Sequence, residues 1–325
     1  MGVAKPDQYS IDVLIHKILT SDKFQETVKE GEKGYYDKQE GIFIPKKVIP
    51  SLVRELTVGH NFVKGPNKME GYISMCQIRT KRFLKAGMEN TTIRPYSQVF
   101  LRYLSAEFLR MFVNSKLNFA ALYIDLVGST MMSMHISPER FSVLVGAFTR
   151  EMAAIVPIRQ GFVLKYAGDA VIAFFPEMES FSQMCTNAVE CAFAMSELVN
   201  VGINSVLTEA GFEPLKIRIG VEAGVNQIMQ IGADIDIVGH TMNIAAKVTS
   251  MAKPDGICIG QVVYSGLKEK SKESFSPLKL DPSFWKYHDS EGKLYQVYEY
   301  VGRDVDDKHK PPEEQENIDI ETPKF

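Results

Sequence analysis

The sequence predicts an α+β sandwich, a mixed sheet covered by helices, preceded by a mainly helical N-terminal region. Three observations carry this expectation. From Leu117 onward, apolar strand-like runs alternate with helical runs, and some neighbouring strands are joined by tight turns. Before residue 115 the helical patterns are broken by Gly/Pro-punctuated pieces such as EGIFIPKKVIPS and VKGPNKMEG. The 325 residues are 45% hydrophobic and 24% charged, which is ample material for a core. The expected division is an N-terminal region over 1–115, a main domain over 116–302 and an acidic, disordered tail over 303–325.

The elements follow in order. Tyr9 to Lys29 reads as helical, as does the stretch from Lys81 onward. QVFLRYLSAEFLRMFV, residues 98–113, is apolar on more than one stripe, so it is a buried or subunit-facing helix placed to couple the two regions. NFAALYIDL reads as a buried strand followed by the turn VGST. Ser137-Pro138-Glu139 starts a helix, with serine as N-cap and proline at N1, that runs to about Val156. GFVLKYAGDAVIAFF gives two strands around a turn at Ala167-Gly168-Asp169. Glu179 to Asn200 is helical. LKIRIGVEAG is a strand, followed by a short hairpin around Asn226 and Gln230. Thr241 to Ala252 is a helix, Gly256 to Gly260 a strand, Gln261 to Lys268 a helix, and Leu294 to Val301 the closing strand.

Several function classes are disfavoured. Charges interrupt the apolar stretches before the ~20 residues of a membrane span. MGVAKPDQYS lacks a secretory apolar region, and Pro6 stands where a myristoylation motif wants serine or threonine. Cys76, Cys185, Cys191 and Cys258 form no CxxC pair, so buried thiols in a reducing cytoplasm are expected. There is no Walker A motif, no GxSxG elbow and no ligand spacing among the six histidines. The net charge of −3 is unevenly spread. Lys46 to Arg102 holds eleven basic residues against three acidic ones, and Asp304 to Glu321 holds eight acidic residues against two lysines. The basic window would suit an anionic partner, although a solvated face explains it more simply.

Two aspartates sit where structure alone would not want them. Asp125 ends an apolar strand and Asp169 occupies the turn of an apolar hairpin. An unpaired buried carboxylate is costly, so each needs a partner. Either has an ordinary explanation, as a turn residue or a cap. Together, at the ends of adjacent strands, they can grip a hard divalent cation. Between them Gly128-Ser129-Thr130 offers backbone N–H groups for phosphate. Metal and phosphate together indicate nucleotide chemistry.

In YIDLVGST, KYAGDAVIAFF, KIRIGVEAG and DIVGHTMNIAAK, in that order, the sequence resembles the catalytic domain of class III nucleotidyl cyclases, the adenylyl and guanylyl cyclases. The resemblance covers roughly Leu117 to Val301. It implies a ferredoxin-like sandwich, a head-to-tail homodimer, and cyclisation of ATP to 3′,5′-cyclic AMP with two Mg²⁺ or Mn²⁺ ions. By position, Asp125 and Asp169 match the metal-binding aspartates, and the Leu126 carbonyl is a further ligand. Lys165 and Asp236 match the pair that reads the purine. A lysine donor suits adenine N1, and an aspartate acceptor suits the 6-amino group. On that reading the pair speaks against a pyrimidine cyclase. Asn243 matches the residue that orients the ribose.

Lys247 stands where active members usually place arginine. Lysine keeps the charge but loses the planar fork of donors. Loss of one such transition-state hydrogen bond costs ~2–4 kcal/mol, part of which lysine's charge recovers. The family's phosphate-binding lysine before the last strand matches Lys286, with Lys293 as the alternative, because DPSFWKYHDSEGKLYQVYEYV departs from the usual pattern. A second class of reading is therefore a nucleotide-binding, cyclase-like module without turnover. The absence of a GG(D/E)EF signature argues against a diguanylate cyclase. Residues 1–115 resemble no sensor domain and are expected to be a regulatory input.

Overall fold

A computed structural model describes residues 11–57, 68–89, 96–232, 234–281, 283–289 and 291–302. The acidic tail 303–325 and the first residues of the expected N-terminal helix lie outside them.

The N-terminal region comprises α1 (Ile11–Leu19), a three-stranded antiparallel sheet of β1 (Phe24–Lys29), β2 (Glu32–Asp37) and β3 (Ile42–Pro45), then α2 (Ile49–Thr57), α3 (Lys68–Met88) and α4 (Tyr96–Arg110). The sheet corrects the expectation of helix through Lys29. The first helix stops at Leu19. Glu30 and Gly31, at φ 51° and 80°, make a two-residue turn that pairs Lys29 with Glu32. Asp37 is fully buried and accepts the Tyr103 hydroxyl at 2.8 Å, which fastens this sheet to α4.

The second region contains β4 (Lys116–Leu126), α5 (Ser129–His135), α6 (Pro138–Ile155), β5 (Phe162–Ala167), β6 (Ala170–Pro176) and α7 (Phe181–Glu197). A π-helical turn at Leu198–Ile203 leads into α8 (Asn204–Glu209). Then follow β7 (Ile217–Ile231), β8 (Asp234–Val238), α9 (His240–Met251), β9 (Gly256–Gly260), α10 (Gln261–Gly266), α11 (Glu269–Lys272), β10 (Phe275–Pro277) and β11 (Val297–Tyr300). The strands form one mixed sheet in the order β10-β11-β9-β7-β4-β6-β5, with β8 paired to the far half of β7. Among the described residues only β7 and β9 run parallel. Strand β4 lies antiparallel between β6 and β7. Its alternation is clean: Ala120, Leu122 and Ile124 face the cluster containing Phe148, Met152 and Met184, while Phe119 and Ala121 face Phe108, Phe174, Met242 and Ala245. Helices therefore cover both faces, as expected of the α+β sandwich.

Two local expectations hold and one is revised. The Ser137 hydroxyl accepts from the Arg140 N–H at 3.3 Å, capping α6 where the sequence placed its start. The β5–β6 turn is tight, with Gly168 at φ 65°. The hairpin expected around Asn226 and Gln230 instead turns beyond Ile231, because β7 continues through both residues. Asn226 is 2% exposed and donates to the Gly224 carbonyl and the Thr241 hydroxyl, both at 2.9 Å, so a polar residue that looked like a turn is a buried strand position.

The two regions share one buried cluster, which runs from Leu14 and Phe100 to Phe148 and Val156. Helix α3 crosses α6 closely: β-carbons on Gly146 and Gly87 would collide with Phe83 and Val143. Arg79 of α3 forms a bidentate pair with Glu151 of α6 at 2.9 and 2.5 Å, and Glu151 is 1% exposed. Among the described residues of the basic window, Lys46, Lys47, Arg79, Lys81, Lys85 and Arg102 are ion-paired within the chain. Stretches 138–159 and 181–209 are long and apolar enough to cross a membrane by composition, but their apolar sides pack into this core. All four cysteines are free and buried.

Candidate active site

The site begins where β4 ends. Asp125 is paired in register with Arg218 of β7 and lies one residue beyond the Ile124–Val171 pair, beside the turn that carries Asp169. The two carboxylates interact. Burial first, and the Asp169 charge second, raise the Asp125 pKa, while Arg218 opposes them. The Arg218 guanidinium reaches Asp125 at 3.3 Å, and the Leu126 N–H lies against the same carboxylate. Oδ2 of Asp169 is buried without a hydrogen-bond partner. A buried acceptor with no donor beside a second carboxylate is poorly stabilised unless a cation joins them. The donor set fits a hard divalent ion of the magnesium type, which takes one or two carboxylates and completes its shell with phosphate and water. Among the described residues no group of three His, Cys, Asp or Glu side chains gathers, so the pair would be the whole carboxylate contribution. Gly128, at φ 74°, leads into α5, and a β-carbon there would meet nothing within 4 Å. The Gly128-Ser129-Thr130 backbone is thus open to a ligand.

The second group lies across the sheet face. Lys165 of β5 and Asp236 of β8 form an ion pair at 2.7 Å, although 71 residues separate them. Lys165 is in register with Ile172, on the face covered by α9. The other Asp236 oxygen accepts from the Ile237 N–H at 2.8 Å, which fixes the carboxylate. Tyr123 of β4, its pKa raised by burial, also feels the Asp236 charge.

The third group is on the outer side of the molecule. Helix α9 buries Thr241, Met242, Ile244, Ala245, Val248 and Thr249, which leaves Asn243 and Lys247 exposed one turn apart. Glycines let it sit close, since β-carbons on Gly220 and Gly224 would strike Thr249 and Thr241. Lys286 is exposed in the loop before β11, next to Trp285, which is 2% exposed and belongs to the same buried cluster as Ile244 and Val248 of α9. Lys293 pairs with Glu291 at 2.8 Å, whereas among the described residues Lys286 has no ion-pair partner. Among the described residues no recorded hydrogen bond or ion pair joins the aspartates to Lys165, Asp236, Asn243 or Lys247.

Arg218 and Glu222 were missed from sequence, although both sit in the quoted KIRIGVEAG. The available signal was charge within a strand whose neighbours are all apolar.

A match to the family described as "Adenylate and Guanylate cyclase catalytic domain" covers residues 113–295, more than half the chain. The chain belongs to the class III nucleotidyl cyclases. A curated relative from Rhizobium meliloti (strain 1021), "Putative adenylate cyclase 3", is 26% identical over 204 residues, covering 63% of this chain and 30% of that protein. "Cytidylate cyclase" of Staphylococcus aureus is 23% identical over 241 residues, covering 71% of this chain and 54% of that one. The cyclase thus spans about half or less of the length of these curated relatives. Among solved structures, the adenylyl cyclase CyaB from P. aeruginosa aligns at 22% identity and TM-score 0.50, covering 57% of this chain and 95% of that one, which supports the fold.

Proposed function

We propose that this cyclase is an adenylyl cyclase that converts ATP to 3′,5′-cyclic AMP and pyrophosphate. The observation that carries the reading is the Lys165–Asp236 pair, a donor and an acceptor held 2.7 Å apart on one sheet face. Adenine presents the complementary edge, an acceptor at N1 beside an amino donor. Guanine inverts that edge, and a buried mismatch leaves polar groups unpaired.

The residues divide the work. Asp125, Asp169 and the Leu126 carbonyl would hold the divalent ions. Two Mg²⁺ or Mn²⁺ ions supply ionisation of the ribose 3′-hydroxyl and neutralisation of the departing pyrophosphate. The 3′-oxygen attacks the α-phosphorus in line as the bond to the β-phosphate oxygen breaks, so catalysis rests on positioning and charge. Arg218, Gly128, Ser129 and Thr130 lie beside the aspartates and face the triphosphate. Asn243 orients the ribose, Lys247 steadies charge shifting onto the phosphates, and Lys286 meets them from its loop. The outward set of Asn243, Lys247 and Lys286 serves the aspartates of a second copy in a head-to-tail homodimer. The exposed apolar residues Val225, Met229, Ile231 and Val238 of the β7–β8 hairpin support that assembly, since a partner would cover them.

A second reading is favoured by the staphylococcal relative. Cytosine offers an acceptor at N3 beside an amino donor at N4, the same order as adenine, so Lys165 and Asp236 exclude guanine and uracil but admit CTP. The sequence-level argument against all pyrimidines is therefore too broad. Pure protein incubated separately with ATP, GTP, CTP and UTP plus Mn²⁺, followed by chromatography, decides. Cyclic AMP as the dominant product is expected, and cyclic CMP establishes the second reading. Nucleotide-dependent thermal stabilisation without any cyclic product would leave a binding module.

A further inference from the structure

Glu222 is the one acid in the buried run Ile219–Ala223 of β7, 1% exposed between Val221 and Ala223, which are fully buried. Such a carboxylate must be paid for with donors. It has three: the Ala223 N–H at 2.7 Å, the Tyr295 hydroxyl at 2.5 Å and the Val263 N–H. Burial raises its pKa to about 7 against those donors. The chain makes room for it at Gly260, where a β-carbon would collide with Oε2.

Tyr295 carries the effect outward. Its carbonyl accepts the Trp285 indole N–H at 2.7 Å, and its N–H donates to the Tyr287 carbonyl at 2.9 Å. The two residues flanking Lys286 are therefore both fastened to Tyr295. Trp285 in turn shares a buried cluster with Ile244 and Val248, which follow Asn243 and Lys247 in sequence. One buried carboxylate thus sets where the Lys286 loop stands against the outer face of α9.

We propose that Glu222, acting through Tyr295, is a positioning residue for the loop that binds the substrate's phosphates. This rests on the reading of Lys286 as a phosphate contact. Among the described residues this loop pairs with itself only through a single antiparallel bridge, His288 with Leu294, and the Glu222–Tyr295 bond anchors that short ladder to the core. The bond also explains why a carboxylate, rather than another valine, stands at 222.

The test uses the full chain with Mn²⁺ and measures dissociation constants for a non-cyclisable ATP analogue and for adenosine, with melting temperature followed alongside. Tyr295→Phe is expected to weaken triphosphate binding about tenfold while adenosine binding is unchanged. Lys286→Ala should show the same selective loss, and the double variant should be no worse than Lys286→Ala alone, because both remove one interaction. Glu222→Gln, which keeps the shape and one acceptor oxygen, should lose part of the effect and serves if Tyr295→Phe does not fold. Equal triphosphate affinity in Tyr295→Phe and wild type, or additive losses in the double variant, overturns the proposal alone. Wild-type protein that binds no triphosphate overturns the cyclase reading with it.

Discussion

The two sides of the site are built differently. The aspartate side is enclosed by the chain itself: β4 and the β5–β6 turn set Asp125 and Asp169 together, and Arg218 is fixed by register. The outward side is a helix face and a loop, with Asn243, Lys247 and Lys286 all exposed. A side that must order two carboxylates against their repulsion needs a rigid frame. A side that would serve a partner's substrate, as the proposed homodimer requires, must remain accessible. On the proposed head-to-tail reading, the contrast means that one chain would hold two half-sites, each completed by the other copy.

The largest expected effect tests the enclosed half. Asp169→Asn keeps the turn but removes the charge at the orphaned oxygen, and cyclic nucleotide formation should fall by about 10³-fold or more. Mixing that variant with Asn243→Ala chains sharpens the comparison. Head-to-tail pairing regenerates one intact site per heterodimer, so about a quarter of wild-type activity should return. No recovery in the mixed sample, measured on the same product, would break the idea of complementary halves.

Next comes base reading. Lys165→Ala leaves Asp236 without its 2.7 Å partner and should lower kcat/KM for ATP by about 10²-fold, with discrimination against both GTP and UTP reduced. A uniform drop across all four nucleotides would show that the pair is only structural. On the outward half, Lys247→Arg restores a planar fork and should raise kcat by about tenfold with KM little changed. An unchanged rate would mean that the lysine already delivers what the step needs.

The smallest effect is on stability. Glu222 has a folded-state pKa of about 7, above the ordinary carboxylate value, so the folded chain holds a proton that the unfolded chain releases. Its contribution is fully present below about pH 4.5 and is lost as pH rises through about 7, on the order of 3 kcal/mol. Urea melts across pH 5 to 8 should show this slope in the wild type and lose it in Glu222→Gln.

Legibility followed the range of the interactions. Strand β4, the turn at Gly168 and the Ser137 cap were readable because their causes lie within a few residues: an apolar run, a glycine and an N-terminal serine followed by proline. The β1–β3 sheet was not. FQETVK and EKGYYD carry little apolar alternation, and their order comes from Glu30-Gly31 and from Asp37 meeting Tyr103, 66 residues away. In the site, Asp125, Asp169, Lys165 and Asp236 were legible as motif positions. Arg218 and the Glu222–Tyr295 bond were not, because an ionisable group inside a strand acquires meaning only from what register or a distant loop places opposite it.

The Arg79–Glu151 pair has a practical corollary for anyone trimming the gene. A fragment beginning at residue 116 would strip α3 from α6, and although water would then solvate Glu151, the apolar face shared with Ile73, Cys76 and Leu84 would be left bare and prone to aggregate. The front hundred residues are a wall of the building rather than a porch, so signals arriving there would act by straining masonry that the catalytic half leans on.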